Sequence, residues 1–461
     1  MLEMRDVRDL RDATREDRGG LTRRTVLGAL SLLGAGPAIA LPAPAQERLP
    51  WASFRKTPDY PRLVEAVRRM KANPDATSPA SWSFWPQIHM HHCPHGQDYF
   101  LAWHRGYLHL FETQLRAMTG SATLRVPYWD YFADPRLPEE FTAGSAATNP
   151  LWESRRGSDV GKALAYGAFD PEVTDFRRGA VNCFESQVEA FHNNVHNLVG
   201  GRMATMLSPH DLLFWVHHAN VDRLWTAWAA AGQGRTMPVP GDAYWQGGFD
   251  YAEGKALPRS VAASGEGLGY RYGDLRFPHP PRPPALAGAA PRPARPSRPV
   301  PAPEPPPPMA MAPPPAAAAP APIPYRGFWL GQEGRYVTLP LRRAREVADV
   351  PDDVTILLDT VSLTEAGAEG GYFYDLYLDL DGEGRARPEC RLGSLGPFQV
   401  AAAMHASEDG RIRIALPAGE VIRREAQGLD LESLGVLFVR VDAGAQREGD
   451  LIAIGAIEFA G

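Results

Sequence analysis

Residues 278–324 hold 21 prolines and many alanines, with four consecutive prolines at 305–308. Proline removes a backbone donor and fixes φ, so this segment cannot continue a helix or lie inside a sheet. It favours an extended polyproline conformation that rises about 3.1 Å per residue, which allows a span on the order of 140 Å. The sequence therefore predicts two folded parts that are joined by a Pro/Ala-rich linker over 278–325.

The composition of the remainder is that of a globular protein. The chain has 461 residues, of which 44% are hydrophobic and 22% charged, so each part can bury a core. A formal net charge of −6 argues against nucleic acid or an anionic membrane as the main partner. Three cysteines cannot form a disulfide framework, and we assign no function to Cys183 or Cys390. No apolar run after the N-terminus is long enough to span a bilayer.

The N-terminus has the pattern of an export signal. Arg23 and Arg24 precede an apolar, Gly- and Ala-rich run to Ala40, and small residues follow to Ala45. This is typical of a secretory signal, and the paired arginines are similar to the twin-arginine type. We expect residues 1–45 to be such a signal and the protein to be exported to the periplasm or the cell exterior. A membrane anchor that is never cleaved is the alternative.

The two folded parts differ in their hydrophobic period. In the part over 46–277, Leu101, His104, Leu108, Phe111 and Leu115 recur at spacings of three and four, which predicts a helix. Further helices are expected over 186–199 and 211–230. After residue 326, short apolar runs alternate with Gly/Asp turns; they lie at 354–358, 372–380, 411–416, 436–441 and 451–459. We therefore predict a mainly α protein, with a helical core followed by a small all-β sandwich over 326–461.

Eleven of the thirteen histidines lie in two stretches of the first part. These are His89, His91, His92, His95, His104 and His109, and then His192, His196, His210, His217 and His218. On a helix, His192 and His196 project from one face and can bind one ion. Adjacent residues point about 100° apart, so only one of His217 and His218 should join them. Two all-imidazole sites predict two ions of copper, zinc or iron.

Both stretches resemble the copper-binding regions of tyrosinases and catechol oxidases, the type-3 dicopper family. The first reads QIHMHHCPHGQDYFLAWHRGYLHLFE at 87–112, and VPYWD follows at 126–130. The second runs from FHNNVHNLVGGRMAT at 191–205 to SPHDLLFWVHHANVDRLW at 208–225. The resemblance covers about residues 50–275 and implies a helical-bundle core that binds two copper ions.

The resemblance also implies which residues hold the metal. His95 and His104 match two ligands of the first copper, and His192, His196 and His218 match the three ligands of the second. His89 fits best as the remaining ligand of the first copper, with His91 and His92 as alternatives. His217 matches a position that is not a ligand, and Asn220 and Asp222 match hydrogen-bonding neighbours of the site.

Four further residues take their expected roles from the same resemblance. Cys93 is expected to be bonded through sulfur to the ring of His95, with a free buried thiol as the alternative. Asn193 is expected to hold a water together with a glutamate, either Glu185 (preferred) or Glu189, and this water accepts the proton of a phenol. Met206 is expected to overhang the substrate pocket, although methionine is often only core filler.

The implied activity is oxidation of phenols and catechols to ortho-quinones with O₂, with ortho-hydroxylation of monophenols as a further hypothesis. An o-aminophenol oxidase and a hemocyanin-like oxygen carrier are the alternatives within the family. A zinc hydrolase is less consistent with the sequence, because no His-Glu-x-x-His motif is present. The second part resembles the C-terminal domain of plant-type polyphenol oxidases, which can cover the copper site as a lid.

Overall fold

The computed structural model of the chain describes residues 45–179, 183–278, 325–345, 354–426, 431–444 and 447–460. The expected export signal lies outside these ranges except for Ala45, and the expected linker lies outside them except for its two end residues. Both assignments therefore stay predictions, as do the domain boundaries. Within the described ranges, no helix is both long and apolar enough to cross a membrane.

The first folded part contains the helices that carry both histidine stretches. They are α1 (Trp51–Phe54), α2 (Asp59–Ala72), α3 (Phe84–His92), α4 (Phe100–Thr119), α5 (Phe184–Val199) and α6 (Leu212–Ala230). Four short strands, β1 (Gln46–Glu47), β2 (Gly248–Ala252), β3 (Lys255–Pro258) and β4 (Tyr270–Arg271), accompany them. β1 pairs in parallel with β4, and β2 pairs antiparallel with β3. The three helices expected from the sequence correspond to α4, α5 and α6.

Helix α6 runs through the centre of the first hydrophobic core, and nearly all of its residues are buried. The Asp211 carboxylate caps its start by accepting a hydrogen bond from the Leu213 N–H at 2.9 Å. Helix α4 packs along it, and the rings of Phe111 and Trp215 stack with centroids 3.7 Å apart. A polar side chain on such a helix needs a buried partner, and Asp222 finds its partners in Arg48 and Arg105.

A buried network of charges joins α4 to α6. Arg48 donates to Asp222 on α6 and to Glu112 on α4, each at 2.9 Å, and Arg105 on α4 donates to Asp222 at 2.6 Å. The hydroxyl of Tyr270 also donates to Asp222, at 2.6 Å. Burial acts to raise the pKa of Asp222, but Arg105 and Arg48 outweigh it and hold that pKa below its ordinary value. The network therefore fixes the spacing of the two helices that carry His104 and His218.

The second folded part is built from two four-stranded antiparallel sheets around a second core. Its strands are β5 (Tyr325–Leu330), β6 (Arg335–Arg345), β7 (Thr355–Leu363), β8 (Tyr372–Asp379), β9 (Arg391–Leu395), β10 (Arg413–Pro417), β11 (Leu431–Asp442) and β12 (Ile452–Ala460). The strand orders are β10–β7–β12–β5 and β6–β11–β8–β9. The five expected strands correspond to β7, β8, β10, β11 and β12.

The expectation of an all-β second part is incomplete. Three helices, α7 (Glu365–Ala368), α8 (Pro397–Ala406) and α9 (Gly419–Glu425), interrupt the strands. They are short, and α8 carries three consecutive alanines at 401–403 where an amphipathic helix would alternate polar and apolar residues. Hydrophobic periodicity therefore gives no signal for them. Helix α8 matters most, because it packs against α5 of the first part.

Candidate metal centre

The first cluster consists of His89, Cys93, His95 and His104, whose ligand atoms all lie within 4.8 Å of one another. His89 stands in the last turn of α3, His104 stands near the start of α4, and Cys93 and His95 lie on the loop between these helices. His91 and His92 are exposed and lie outside this cluster. The structure therefore brings together His89, rather than its two neighbours, with His95 and His104.

Backbone carbonyls orient the rings of the first cluster. The Nδ1–H of His89 donates to the carbonyl of Met206, and that of His104 to the carbonyl of Phe100, each at 2.8 Å. This turns both Nε2 atoms toward the interior, and His89 Nε2 is buried with no hydrogen-bond partner. Burial lowers the pKa of His89 to about 4 and those of His95 and His104 well below the ordinary value. The rings are thus neutral at pH 7, which is the form that binds metal.

The second cluster consists of His192 and His196 on α5 and His217 and His218 on α6, again with ligand atoms within 4.8 Å of one another. His196 donates through Nδ1 to the carbonyl of Met203 at 2.6 Å, and His192 donates through Nδ1 to Asn193 Oδ1 at 3.0 Å. The Nε2 atoms of His192 and His218 lie 3.1 Å apart. Burial lowers the pKa of His196 to about 3 and depresses those of the other three rings.

His217 was not expected to be a ligand, yet it belongs to the second cluster. Its ring stacks on that of His192 with centroids 4.9 Å apart, and both of its ring nitrogens are buried without a hydrogen-bond partner. His218 has one such nitrogen, Nδ1. The choice of His218 over His217 as the ligand therefore stays a prediction. His109 and His210, from the same two stretches of sequence, belong to neither cluster.

The two clusters adjoin each other. The rings of His104 and His218 are stacked with centroids 4.0 Å apart, and those of His95 and His192 lie 6.0 Å apart. Phe100 and Phe214 pack between the rings and close the space around them. Neutral, buried imidazoles with unpartnered nitrogens fit a pair of neighbouring borderline metal ions.

Both clusters lie in a stretch that is similar to a known protein family. The model of the common central domain of tyrosinase matches residues 66–171 and 154–231, which include both clusters. Residues 66–231 are thus assigned by similarity to the common central domain of tyrosinase. Tyrosinase-family proteins are type-3 dicopper proteins, and the two clusters could hold the two copper ions.

Individual relatives agree with this assignment. Tyrosinase HcTyr1 of Hahella sp. is 30% identical over 254 residues, which are 46% of this chain and 53% of that protein. The tyrosinase of Streptomyces glaucescens is 31% identical over 178 residues, 29% of this chain and 63% of that protein. An A-type hemocyanin of Enteroctopus dofleini is 29% identical over 229 residues, 40% of this chain and 18% of that protein. The chain thus spans less than two thirds of the length of each.

Among solved structures, a latent aurone synthase (polyphenol oxidase) from natural source is similar over 90% of both chains. The TM-score is 0.50 and the sequence identity is 18%. At this identity the likeness concerns the fold alone. It extends into the second folded part, beyond the residues that the central-domain model matches.

The two candidate glutamates, Glu185 and Glu189, both pair with Arg178 but differ in their backbone contacts. Glu185 is fully buried and accepts a hydrogen bond from the Leu101 N–H at 3.0 Å; its other oxygen has no hydrogen-bond partner and lies 3.7 Å from Arg178 Nε. Burial raises its pKa to about 7. Glu189 accepts from the Gly96 N–H at 2.8 Å and forms an ion pair with Arg178. Among the contacts of the described residues, neither carboxylate bonds to Asn193, so their shared role with it stays a prediction.

The main residue that sequence reasoning missed is Phe398, at the start of α8. Its ring stacks on His196 with centroids 4.1 Å apart, and it also contacts the rings of His95 and His192 at 5.1 and 5.7 Å. It is fully buried. Its sequence neighbours form an ordinary apolar run, so no local signal marks it. Met206, by contrast, contributes its carbonyl to His89, and the expected role of its side chain stays a prediction.

Amide side chains of α5 hold Phe398 in place. The Phe398 N–H donates to Asn197 Oδ1 at 2.8 Å, and the Asn197 amide donates to Gln399 at 2.7 Å. A side chain at Gly396 would place Cβ 2.3 Å from the Asn197 amide, so only glycine permits this approach. A second contact follows at Glu369, whose carbonyl accepts from the Gly201 N–H at 2.7 Å. The second folded part is thus closely fitted to the helix that carries His192 and His196.

Proposed function

We propose that this chain is a copper-dependent oxidase that converts small phenols or catechols to ortho-quinones with O₂. The observation that carries the proposal is the contact between the two clusters, with His104 and His218 stacked at 4.0 Å. One ion would be held by His89, His95 and His104, and the other by His192, His196 and His218. When bound, two such ions bind O₂ together and exchange electrons with it.

The residues of this chain prepare the site for that chemistry. Carbonyls that accept from Nδ1 fix the tautomer of His89, His104 and His196, which keeps their Nε2 atoms free for metal. The rings of Phe100 and Phe214 pack against those of His192 and His218, and we expect them to limit the water in the space between the clusters. A dry site strengthens each interaction with an ionised substrate oxygen.

A phenol must lose its hydroxyl proton before that oxygen can approach a metal ion. We propose that a water held by Asn193 and Glu185 accepts this proton. Support comes from the buried Oε2 of Glu185, which accepts no hydrogen bond and lies 3.7 Å from Arg178 Nε, and from the Glu185 pKa of about 7, which suits a general base at neutral pH. Monophenol hydroxylation follows from this role. Copper-loaded protein that oxidises catechol but never turns over tyrosine or tyramine, even after a long lag, would refute this part.

The proposed resting state of the full chain is latent, because Phe398 occupies the space above His196. The similar solved structure is also named as a latent form, at the level of the fold. The test replaces Phe398 by alanine in the full chain, and we expect faster catechol oxidation per bound copper. Val400→Ala on the same helix is the matched control, because Val400 is also buried but belongs to the second core. Equal rates in both variants would contradict latency through Phe398.

A hemocyanin-like oxygen carrier is the second candidate, since hemocyanin is among the relatives. Catechol, tyramine and o-aminophenol, offered to copper-loaded protein, separate the possibilities. Quinone formation supports the oxidase, a quinone imine alone supports an o-aminophenol oxidase, and reversible O₂ binding without product supports a carrier. Export by the twin-arginine route also remains a proposal. Replacing Arg23 and Arg24 by lysine should retain the protein in the cytoplasm.

A further inference from the structure

Two exposed histidines from different folded parts face each other at the surface. His91 lies in the last turn of α3 in the first part, and His405 lies in the last turn of α8 in the second part. Their ring centroids are 5.8 Å apart, and the ring planes are inclined at 61°. Both residues are exposed, so an ion can reach the pair from solvent.

The geometry of this pair matches that of the imidazoles proposed to hold copper. Within the two proposed ligand sets, ring centroids lie 4.5–5.9 Å apart and ring planes are inclined at 56–79°. The pair of His91 and His405 falls inside both ranges. Imidazole nitrogen is a preferred ligand of zinc, which takes four ligands in tetrahedral geometry, so water would supply the remaining two. His92, the next residue of α3, points about 100° away around the helix.

Helix α8 connects this pair to the candidate metal centre. Phe398 at its start stacks on His196, and His405 at its end lies beside His91, which stands two residues after the proposed ligand His89. The helix has ten residues and is therefore about 15 Å long. An ion held between His91 and His405 would fix the end of α8 to α3. Through the helix, it would also keep Phe398 in place on His196.

We propose that His91 and His405 form a third metal site, which binds Zn²⁺ between the two folded parts and fixes α8 to α3. Two zinc–nitrogen bonds form and water ligands leave the ion, with no change in oxidation state. Two protein ligands hold an ion less firmly than the three or four of the usual zinc sites, so binding is reversible and suits control of activity rather than folding. The site itself is independent of copper, whereas its effect on oxidation rests on the proposed function.

The test adds Zn²⁺ to the copper-loaded full-length chain and measures zinc and copper separately after equilibrium dialysis. Wild-type protein should bind one zinc ion and keep its copper. His91→Ala and His405→Ala should each weaken zinc binding by more than the roughly tenfold effect of losing a residue that only supports a ligand. His92→Ala, which removes an exposed histidine of the same helix, is the matched control and should bind zinc as the wild type does. No zinc on the wild type, equal binding by all variants, or release of copper in exchange for zinc would each overturn the site.

Hydrogen–deuterium exchange tests the link between the ion and the helix without relying on activity. Zn²⁺ should slow exchange of the backbone amides of α8 in the wild type but not in His405→Ala, because a helix that is fixed at its end opens less often. Unchanged exchange in the zinc-bound wild type would overturn the fixation of α8.

Catechol oxidation gives the readout that depends on the proposed function. Zn²⁺ should slow oxidation by the wild type and leave the rate of His405→Ala unchanged. Equal rates of the wild type with and without bound zinc would overturn the control of activity. A chain that binds two copper ions and zinc but never oxidises catechol would instead overturn the proposed function and leave the zinc site intact.

Discussion

The two clusters rest on different supports. All four imidazoles of the second cluster stand on α5 and α6, two long and largely buried helices. In the first cluster, only His104 stands inside a long helix, while His89 is at the end of α3 and the residues between them lie on a loop. The second cluster is therefore fixed mainly by helix packing, and the first depends on how a loop is held.

Contacts from elsewhere in the first part hold that loop. Glu189 on α5 accepts from the Gly96 N–H, and Arg259 donates to the hydroxyl of Tyr99 at 3.0 Å. Tyr99 itself has a left-handed backbone, with φ of 74°, which a tyrosine adopts only when its surroundings require it. The first cluster therefore depends in part on α5, the helix that also carries His192 and His196.

The largest effect is expected from His89, the ligand of the first cluster for which the sequence left two neighbouring histidines as alternatives. His89→Ala should lose one of the two copper ions and the oxidase activity with it. The effect should exceed the roughly 10–100-fold typical of residues that only support a metal ligand. His91→Ala and His92→Ala, two exposed histidines of the same helix, are matched controls that should keep two ions. Metal analysis decides, and loss of an ion from either control would mean that the helix end is arranged differently.

A smaller effect is expected from Asp222, which connects the supports of both clusters. Asp222→Ala leaves Arg48 and Arg105 buried without their shared carboxylate, and breaking such a pair costs about 3–5 kcal/mol. We expect this loss in the free energy of unfolding, measured by urea denaturation. Glu65→Ala removes an exposed ion pair with Arg68 and should cost under about 1 kcal/mol. Similar losses in both variants would show that the network does not tie α4 to α6.

Glu185 gives a pH-dependent effect, because it stands on α5 and bonds to the first turn of α4. Its pKa is raised by burial from 4.5 to about 7, so the folded state binds its proton more tightly than the unfolded state does. The resulting stability is complete below pH 4.5 and is lost as the pH rises through 7. Glu185→Gln should therefore match the wild type at pH 4.5 and exceed it by about 3 kcal/mol at pH 8. Its amide oxygen can still accept from Leu101, which isolates the charge.

The same variant tests the proposed proton transfer. If Glu185 acts as the base, kcat/KM for a monophenol rises with pH through about 7 in the wild type and loses this dependence in Glu185→Gln. Removal of a general base costs about 10²–10⁴-fold. An unchanged pH profile would assign the proton to another group. If the difference in the free energy of unfolding between Glu185→Gln and the wild type is the same at pH 4.5 and pH 8, Glu185 is better hydrated than its burial indicates.

The second cluster was largely predictable from sequence because its signals are local. The i, i+4 spacing of His192 and His196 and the apolar period around them specify both a helix and a shared face. The cap at Asp211 likewise marks the start of α6. At the first cluster, three histidines follow one another at a helix end, and only tertiary packing turns His89 inward while His91 and His92 face solvent.

Phe398 shows what local patterns do not contain. It lies about 200 residues from His196 in sequence, and a contact at that separation leaves no periodic trace. Helix α8, which carries it, begins at Gly396 and Pro397 and continues through alanines, so neither its polarity nor its length distinguishes it from a loop. The resemblance to plant-type polyphenol oxidases suggested a lid, but not which side chain reaches the histidines. The resemblance led us to expect the Cys93 sulfur beside the ring of His95, but not its contact with His104 Nε2.

The smallest effect is expected at Asn193, because a side chain rather than the backbone orients a histidine ring there. His196 donates to a backbone carbonyl, which no substitution removes, whereas His192 donates to the side chain of Asn193. Asn193→Ala should therefore free the His192 ring to rotate and weaken binding of one copper ion by about 10–100-fold. Asn193→Asp keeps an acceptor at the same place and should retain the affinity, which separates ring orientation from loss of the amide. Copper titration of both variants measures this, and equal weakening by Ala and Asp would show that the amide acts on something other than His192.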